Sequence, residues 1–219
     1  LTHRNIVSNA LAGADAISIV REDSLVLSLL PLAHSYGSTC SLLSPMTAGA
    51  SIYFLDKKPS PKILMAALSS LRPHILTGVP LIFEKIFHKQ VVPQLTSNRV
   101  TKLINRSEVG RKVLYRMAGR KILRAFGGRL EVAVIGGASL NNEVETFMRE
   151  GKIPYTIGYG LSECSPLVAG SPVVETKIGS VGKSVRDVQV RIDQPDPESG
   201  VGEILVKGPN VMKGYFKNE

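Results

Sequence analysis

The sequence predicts an α/β protein, in which a mostly parallel sheet with helices on both faces is followed by a smaller antiparallel β subdomain. Three observations predict this class. Short apolar runs of strand length are separated by helix-like patterns, glycine and proline flank those runs, and apolar–polar alternation begins after about residue 170. Strands separated by helices are typical of a parallel sheet that is covered on both faces. The 219 residues, 43% of them hydrophobic, are enough to bury a sizeable core.

The first part of the chain contains five predicted strands. Each of them is a short apolar run of strand length that lies beside glycine or proline. They are residues 25–30, 51–55, 74–78, 131–135 and 153–157.

Helix signals lie between these strands. Thr2 is a suitable cap for a helix that runs to residue 16, and Pro61 begins a second helix. Pro80 begins a third helix, and Asn141 precedes a fourth. We therefore expect helices and strands to alternate throughout the first part of the chain.

The last part of the chain has a different pattern. Residues 188–192 and 203–206 alternate apolar with polar side chains, which predicts an antiparallel pair. The turn between them is rich in strand-breaking residues, namely Pro195, Pro197, Gly200 and Gly202. We place a boundary near residue 172, with an α/β subdomain in residues 1–172 and the truncated start of a β-barrel-like subdomain in residues 173–219.

The formal net charge of +9 is concentrated in one segment. Residues 99–129 contain ten basic side chains and one acidic side chain, Glu108, whereas the rest of the chain balances seventeen basic with seventeen acidic residues. The basic residues are Arg99, Lys102, Arg106, Arg111, Lys112, Arg116, Arg120, Lys121, Arg124 and Arg129. We therefore expect the protein to have one basic face.

Two interpretations of this basic segment are open, and a third is not favoured. Apolar residues recur in it at helical spacing, which favours an amphipathic helix at an anionic membrane. They are Val109, Val113, Met117, Ile122 and Phe126. A solvated basic helix packed on the domain is the plainer alternative. Nucleic acid is not an expected partner, because the aromatic residues of the segment are limited to Tyr115 and Phe126.

The cysteines and the apolar stretches indicate the compartment. Cys40 and Cys164 lie far apart without the spacing of metal ligands, so neither a disulfide framework nor a zinc site is indicated. The longest strongly apolar stretch, residues 25–33, is well short of the ~18 residues that a membrane span needs. We expect a cytoplasmic protein, with peripheral contact to the inner face of a membrane as the alternative. Because the chain begins at Leu1 and ends at Glu219, we also expect an internal piece of a longer protein.

Ligands of open parallel sheets bind at the carboxyl ends of the strands, so the loops that follow strands are the first candidates for a site. Three loops are distinctive: residues 31–37 after the first predicted strand, 136–140 after the fourth and 158–163 after the fifth. Gly136 and Gly137 would let the backbone approach a flat ligand closely, because no Cβ intervenes. An ordinary strand-to-helix turn is the alternative explanation of this pair.

The third loop contains three side chains that suit a nucleotide. Tyr159 offers a ring for stacking on a base, Ser162 a hydroxyl for a phosphate oxygen, and Glu163 a hard carboxylate oxygen for Mg²⁺. The alternatives are a half-buried core tyrosine and the polar start of a helix.

Four motifs in this order resemble the adenylate-forming superfamily of acyl-CoA synthetases, luciferases and peptide-synthetase adenylation domains. Residues 1–5 (LTHRN) resemble the segment after the Ser/Thr/Gly-rich phosphate loop of that family, and residues 31–37 (PLAHSYG) resemble its proline-leucine-x-histidine loop. Residues 158–163 (GYGLSE) resemble its tyrosine-glycine-x-threonine-glutamate motif, and residues 202–215 resemble the stretch that leads to its ribose-binding aspartate. Bacterial-type long-chain fatty acid–CoA ligases are the members that the chain resembles most.

The resemblance implies roles for individual residues, with Glu163, Ser162 and His34 as the catalytic set. Tyr159 would stack on adenine, Ser162 would contact the α-phosphate, and Glu163 would bind Mg²⁺. His34 would lie beside the acyl-phosphate, with a structural hydrogen-bonding histidine as the alternative. The other nucleotide-binding residues would be Gly136, Gly137, Ala138, Gly158, Gly160 and Leu161.

Two positions depart from the pattern of the family. Ile157 stands where relatives often have Gln or Asn near the adenine amino group, so we expect backbone carbonyls to provide recognition there. Cys164 stands where Thr is common, and we expect it only to pack.

The resemblance further implies a two-step reaction that uses ATP, Mg²⁺ and coenzyme A. A carboxylate attacks the α-phosphorus of ATP to give acyl-AMP and pyrophosphate, and the thiol of coenzyme A then displaces AMP. A long-chain fatty acid is the preferred substrate, an aryl or amino acid is the enzymatic alternative, and a basic membrane-surface module is the non-enzymatic one. The phosphate loop, the ribose aspartate and the carboxy-terminal lid of the family are expected to lie outside this chain, so we expect this piece alone to be inactive.

Overall fold

A computed structural model describes residues 1–55, 60–97 and 99–217 of the chain. Nine strands in these residues form two sheets. The strands are β1 (Leu25–Ser28), β2 (Ser51–Phe54), β3 (Ile75–Gly78), β4 (Val132–Gly136), β5 (Tyr155–Gly160), β6 (Leu167–Gly170), β7 (Lys183–Ser184), β8 (Gln189–Asp193) and β9 (Glu203–Lys207).

The larger sheet has the strand order β2-β1-β3-β4-β5-β6-β7. Its strands β1 to β5 pair in parallel, whereas β6 and β7 are antiparallel additions at one edge. The smaller sheet is the antiparallel pair of β8 and β9. A parallel sheet of this kind places the loops after β1, β4 and β5 at the same edge.

Helices connect the parallel strands. In the described residues the α-helices are α1 (His3–Ile17), α2 (Ser35–Ser38), α3 (Ser44–Thr47), α4 (Pro61–Leu71), α5 (Pro80–Ile86), α6 (Val92–Leu95), α7 (Arg99–Arg106), α8 (Glu108–Ala125) and α9 (Asn142–Glu150). Short π-helical segments join α2 to α3 and α5 to α6. Over the same residues, no helix combines the length and the apolar character that crossing a membrane requires.

Side chains at the predicted helix starts cap the helices. Thr2 forms a capping box with Asn5 at the start of α1, Ser60 caps α4 just ahead of Pro61, and Asn141 caps α9. In each case a side-chain oxygen accepts a hydrogen bond from a backbone N–H of the first turn, which would otherwise lack a partner. The predicted starts of these three helices are therefore confirmed.

The side chains of the parallel strands alternate between two buried faces of the sheet. On one face, Leu27 and Leu76 belong to a core that also contains buried residues of α4, α5, α8 and α9. On the other face, Val26 and Ile75 pack in a cluster with Ile17 of α1. Because both faces are covered, the strands appear in the sequence as continuous runs of apolar residues. The predicted α/β class, with its smaller antiparallel part, is confirmed.

Strand β5 extends further than predicted at its carboxyl end. The apolar run predicted a strand over residues 153–157, but the strand reaches Gly160. The extension forms because β6 pairs along this edge, with Tyr159 opposite Ala169. The first half of the predicted loop 158–163 is therefore strand, which fixes these residues on the sheet.

Helix α8 corrects the amphipathic pattern predicted for the basic segment. Ile122 and Phe126 are buried in the core, whereas Val109, Val113 and Met117 are exposed. Positions five residues apart on an α-helix differ by about 140° in direction, so Ile122 cannot continue the stripe that ends at Met117. The prediction of one apolar face was wrong, because the helix has a buried face and a separate exposed apolar stripe.

The boundary near residue 172 stays a prediction. Strand β7 comes after this position in the chain and pairs with β6, so the larger sheet continues to Ser184. The pair of β8 and β9 starts at Gln189.

Candidate active site

The loops after β1 and β5 meet at the carboxyl edge of the larger sheet. Ser35 Oγ and Ser162 Oγ lie 3.0 Å apart and share a hydrogen bond. Together with Gly136 at the end of β4 and Gly137 after it, these loops line a first cavity. Its lining residues are His34, Ser35, Tyr36, Cys40, Val134, Gly136, Gly137, Gly158, Tyr159, Gly160, Leu161, Ser162, Pro166 and Leu167.

His34 caps helix α2 and also lines the first cavity. Its Nδ1 atom accepts a hydrogen bond from the backbone N–H of Tyr36 at 3.2 Å. In the neutral ring the proton is therefore on Nε2, which leaves Nε2 as a hydrogen-bond donor. The structural and the functional interpretations of His34 are thus compatible.

The inner wall of the first cavity is neutral. Tyr36 Oη donates to the carbonyl oxygen of Val134 at 3.0 Å, and burial raises the pKa of this phenol well above its ordinary value. Burial also raises the pKa of the Cys40 thiol to about 12. Both groups therefore keep their protons near neutral pH, so this wall contributes shape rather than charge.

The backbone approaches its neighbours closely at two glycines of the cavity, and the approach leaves no room for a side chain at Gly160. A Cβ on Gly136 would lie 3.3 Å from the ring of Tyr36, and a Cβ on Gly160 would lie 1.9 Å from the carbonyl oxygen of Pro166. Gly137 has a φ of +88°, a conformation that glycine adopts without strain. At the end of β4, glycine is thus favoured at Gly137 by its backbone conformation, whereas a side chain at Gly136 would need the Tyr36 ring to shift slightly.

A second cavity of about 470 Å³ adjoins the first and shares Gly137, Gly158, Tyr159 and Gly160 with it. The other residues that line it are Ala138, Ser139, Leu140, Asn142, Glu145, Ile157, Gly179, Ser180 and Val181. Of the residues predicted from sequence, Ala138 and Ile157 therefore lie at this cavity and not at the first.

Tyr159 lies between the two cavities. It is half-buried on β5, packs against the apolar cluster that contains Val168 and Val185, and lines both cavities. A ring that is held by packing on one part of its surface and accessible on another is suited to stacking on a flat ligand.

Glu163 lies in a 3-10 turn that directly follows Leu161. Its Oε1 atom accepts a hydrogen bond from Tyr215 Oη at 2.6 Å, and this bond holds the pKa of the Glu163 carboxyl below its usual value. The same contact raises the pKa of Tyr215. The carboxylate is therefore ionised at neutral pH. Glu163 follows Ser162 in the chain but is not among the residues that line either cavity.

A single carboxylate is a suitable protein ligand for Mg²⁺ at a nucleotide site. Mg²⁺ commonly takes one or two protein carboxylates and completes its shell with phosphate oxygens and water. Over the part of the chain that the structure describes, no group of three His, Cys, Asp or Glu side chains gathers as a metal site. The accessible, ionised carboxylate of Glu163 fits this kind of shared site and does not fit a site built from protein ligands alone.

Buried asparagines hold the turn that carries Glu163. Asn9 on α1 makes two hydrogen bonds with Leu167, because its Nδ2 donates to the Leu167 carbonyl at 2.6 Å and its Oδ1 accepts from the Leu167 N–H at 2.9 Å. Asn210 Nδ2 donates to the carbonyl oxygen of Cys164 at 3.0 Å. The backbone N–H of Met212 donates to the Glu163 carbonyl at 2.8 Å. Helix α1 and the segment after β9 thus fix the turn from two sides.

Several residues at the site had no individual role predicted from sequence, although Ser35, Asn210 and Tyr215 lie within the motifs identified there. They are Ser35, Glu145, Gly179, Ser180, Val181, Asn210 and Tyr215. The glycines at 179 and 182 around a short turn were a usable signal for a loop near a ligand. The polar residues gave no local signal, because their partners are distant in sequence.

The fold and the three loops define an α/β protein with a candidate ligand site at the carboxyl edge of its sheet. A family model described as AMP-binding enzyme matches residues 1–216. The chain therefore belongs to the AMP-binding enzyme family, the adenylate-forming superfamily that its motifs resemble.

Two relatives show how much of a family member this chain represents. The long-chain-fatty-acid–CoA ligase FadD15 of Mycobacterium bovis is 30% identical over 240 residues, and the match covers 100% of this chain and 38% of the relative. The 4-coumarate–CoA ligase of Pinus taeda is 26% identical over 234 residues, again covering 100% of this chain and 38% of the relative. The chain thus spans well under half of the length of either relative.

The fold of this chain is also found in solved structures. The crystal structure of ATP-bound MatB from Rhodopseudomonas palustris matches with a TM-score of 0.71 at 22% identity, covering 99% of this chain and 38% of that chain. At this level of identity the likeness shows the fold.

Proposed function

We propose that the full-length protein activates a carboxylic acid with ATP as an acyl-adenylate and transfers the acyl group to coenzyme A. The observation that carries this proposal is the meeting of three loops at one edge of the sheet, with Tyr159, Ser162 and His34 around adjoining cavities. The names of the relatives support the same class, since both are CoA ligases.

The residues of the first cavity have distinct tasks in this proposal. Tyr159 stacks on adenine, the Ser162 hydroxyl donates to an oxygen of the α-phosphate, and His34 Nε2 donates to the oxygen at which the carboxylate and phosphate join. Positioned donors of this kind stabilise the charge that develops when the carboxylate attacks phosphorus and pyrophosphate leaves. The thiol of coenzyme A then displaces AMP from the acyl carbon, and no side chain forms a covalent intermediate.

Glu163 is the residue that would hold Mg²⁺ against the phosphates. When bound, the ion neutralises part of the phosphate charge. The Tyr215 hydroxyl fixes the orientation of the carboxylate through its hydrogen bond to Oε1. A carboxylate whose rotamer is fixed in advance loses less conformational freedom on binding.

A long-chain fatty acid is our preferred substrate, and an aryl acid is the second candidate. The long-chain relative is 30% identical and the 4-coumarate relative 26% identical, so both acid classes have support. An amino acid remains the third candidate, from the peptide-synthetase branch of the resemblance.

The test is ATP–pyrophosphate exchange by the full-length protein with a panel of acids. The panel contains saturated fatty acids of graded length, 4-coumarate, benzoate and several amino acids. We expect exchange that depends on a fatty acid and increases with chain length. Exchange with aryl acids alone would show that the substrate is an aryl acid, the second candidate. Absence of exchange with every acid would contradict the proposed function.

We also propose that the basic segment, residues 99–129, contacts an anionic membrane surface. The supporting observation is that helices α7 and α8 expose apolar side chains among their basic residues. These apolar side chains are Val100, Leu103, Ile104, Val109, Val113 and Met117. Apolar side chains bury in the interface, and each Lys or Arg near anionic lipid adds about 1 kcal/mol.

Sedimentation of the full-length protein with vesicles tests this contact. We expect binding to vesicles that contain anionic lipid, weakening as salt rises because exposed charges are screened. Replacing Arg116 and Arg120 by Gln should reduce the bound fraction, and Val113→Ser should reduce it further. Equal sedimentation with neutral and anionic vesicles would show that the segment is only a solvated basic face.

A further inference from the structure

A buried carboxylate that no proposed step uses lies at the wall of the second cavity. Glu145 on helix α9 is 1% exposed. Its Oε1 atom accepts a hydrogen bond from Tyr155 Oη at 3.0 Å, and its Oε2 atom accepts one from the backbone N–H of Gly179 at 3.0 Å. Burying a carboxylate is costly unless such donors satisfy it, so its presence here calls for a physical reason.

The two donors belong to different elements, and of the two residues Gly179 lines the second cavity. Tyr155 is the first residue of β5, the strand that carries Tyr159. Gly179 lies in the turn from Lys177 to Ser180, and with Ser180 it lines the cavity together with Tyr159. The carboxylate thus bridges the strand that carries the proposed adenine-stacking ring and the loop beside it.

Two contacts outside the turn hold it, because Gly179 bonds to Glu145 and β7, which begins at Lys183, pairs with β6. Its own hydrogen bonds, from Ser180 N–H to the Lys177 carbonyl and from Gly182 N–H to Ser180 Oγ, remain within the loop. Gly179 has a φ of +75°, a conformation that glycine adopts without strain and that strains other residues. The bond to Glu145 is what ties the turn to α9.

We propose that Glu145 is a positioning residue of the nucleotide site, which holds the loop of residues 177–182 at the distance from Tyr159 that a bound adenine requires. This inference rests on the proposed function, because it takes the second cavity as the nucleotide site. Burial and the charge of Glu145 raise the pKa of Tyr155, so the phenol keeps its proton and remains a donor. Glu145 acts through Gly179 and makes no contact with the reacting atoms.

The test is a set of variants of the full-length protein in steady-state kinetics. Glu145→Leu keeps the volume but cannot accept from Gly179, and loss of a charged hydrogen bond of this kind should raise the KM for ATP about tenfold or more. The KM for the carboxylic acid and kcat should change far less. Glu145→Gln should restore most of the ATP affinity, because its amide oxygen accepts from Gly179 while the Tyr155 hydroxyl accepts from its NH₂ group.

Glu150→Leu is the matched control. It removes a carboxylate from the same helix, where Glu150 pairs with Arg111 rather than with the loop. We expect it to leave the KM for ATP unchanged. If Glu145→Leu does not fold, Glu145→Asp replaces it, since the shorter arm cannot bridge both donors and should raise the KM for ATP in the same way.

The contradicting result is a drop in thermal stability with an unchanged KM for ATP in the Leu or Asp variant, which would make Glu145 a purely structural residue. Failure of Glu145→Gln to restore ATP affinity would also overturn the inference. A wild-type protein that shows no acid-dependent exchange contradicts the proposed function itself, so the two failures are distinguishable.

Discussion

At the scale of single residues, Tyr159 packs against an apolar cluster and also lines both cavities. In the full-length protein Tyr159→Ala should weaken ATP binding by ~1–3 kcal/mol, the scale of stacking between a base and an aromatic ring. Tyr159→Phe keeps the ring and should cost far less. The KM for ATP in the two variants decides whether Tyr159 stacks on adenine or is only a half-buried core tyrosine. An unchanged KM in the alanine variant would show that Tyr159 only packs against its apolar cluster.

Residues whose chemistry lies in a local motif were the predictable part of the candidate site. Glycines at 136 and 137, and Ser162 with Glu163, stand next to strand ends and carry suitable groups. The bond between Ser35 and Ser162 spans 127 residues, and the bond between Glu163 and Tyr215 spans 52. Such pairings depend on how distant segments fold together, so no local pattern indicates them.

At the scale of elements, the contact between α1 and the turn after β5 depends on one buried amide. Asn9 is 1% exposed and satisfies both the N–H and the carbonyl of Leu167. Asn9→Ala removes the acceptor of the Leu167 N–H and one of the two donors to the Leu167 carbonyl, which keeps its bond from Asn210, and should destabilise the fold by about 2 kcal/mol. Val7→Ala, an exposed change on the same helix, should cost under about 0.5 kcal/mol.

Thermal or chemical unfolding of the two variants checks this prediction. A small effect of Asn9→Ala, comparable to that of Val7→Ala, would mean that water or a rearranged backbone replaces the amide. Losing the hydrogen bonds between Asn9 and Leu167 should also loosen the turn that carries Glu163. Leu167 comes three residues after that turn, directly after Pro166.

Elements were predictable where local periodicity and tertiary packing agree. Helix starts at Thr2, Pro61 and Asn141 were correct, because caps act within one turn. Strand β5 was too short in the prediction, because its glycine-rich end is held by pairing with β6 rather than by apolar character. The apolar residues of α8 were wrongly assigned to one face, because the step of five residues from Met117 to Ile122 turns by about 140° and begins a second stripe.

At the scale of the whole molecule, the described cavities lack a feature that ATP requires. Among the described residues that line them there is no Lys or Arg, although the triphosphate carries several negative charges. The isolated 219 residues should therefore bind ATP weakly or undetectably. Titration calorimetry with Mg·ATP measures this directly, and micromolar affinity of the isolated chain would contradict the prediction.

The central claim is that Glu163 holds the metal for acyl-adenylate formation, and the Glu163→Gln variant of the full-length protein tests it. The change keeps the shape but removes the charge that Mg²⁺ prefers. Loss of one positioned electrostatic contact costs ~3–4 kcal/mol, so acyl-adenylate formation should slow by roughly two to three orders of magnitude. Thioester formation from supplied acyl-AMP involves no departure of pyrophosphate and should slow much less.

The decisive measurement is the rate of each half-reaction, taken separately, in the wild type and in Glu163→Gln. Tyr215→Phe is the matched control, because it removes the hydrogen bond to Glu163 and leaves the carboxylate in place. Our account predicts a large loss in adenylation alone for Glu163→Gln and a small one for Tyr215→Phe. Equal slowing of both half-reactions, or normal adenylation with unaltered dependence on magnesium, would contradict it.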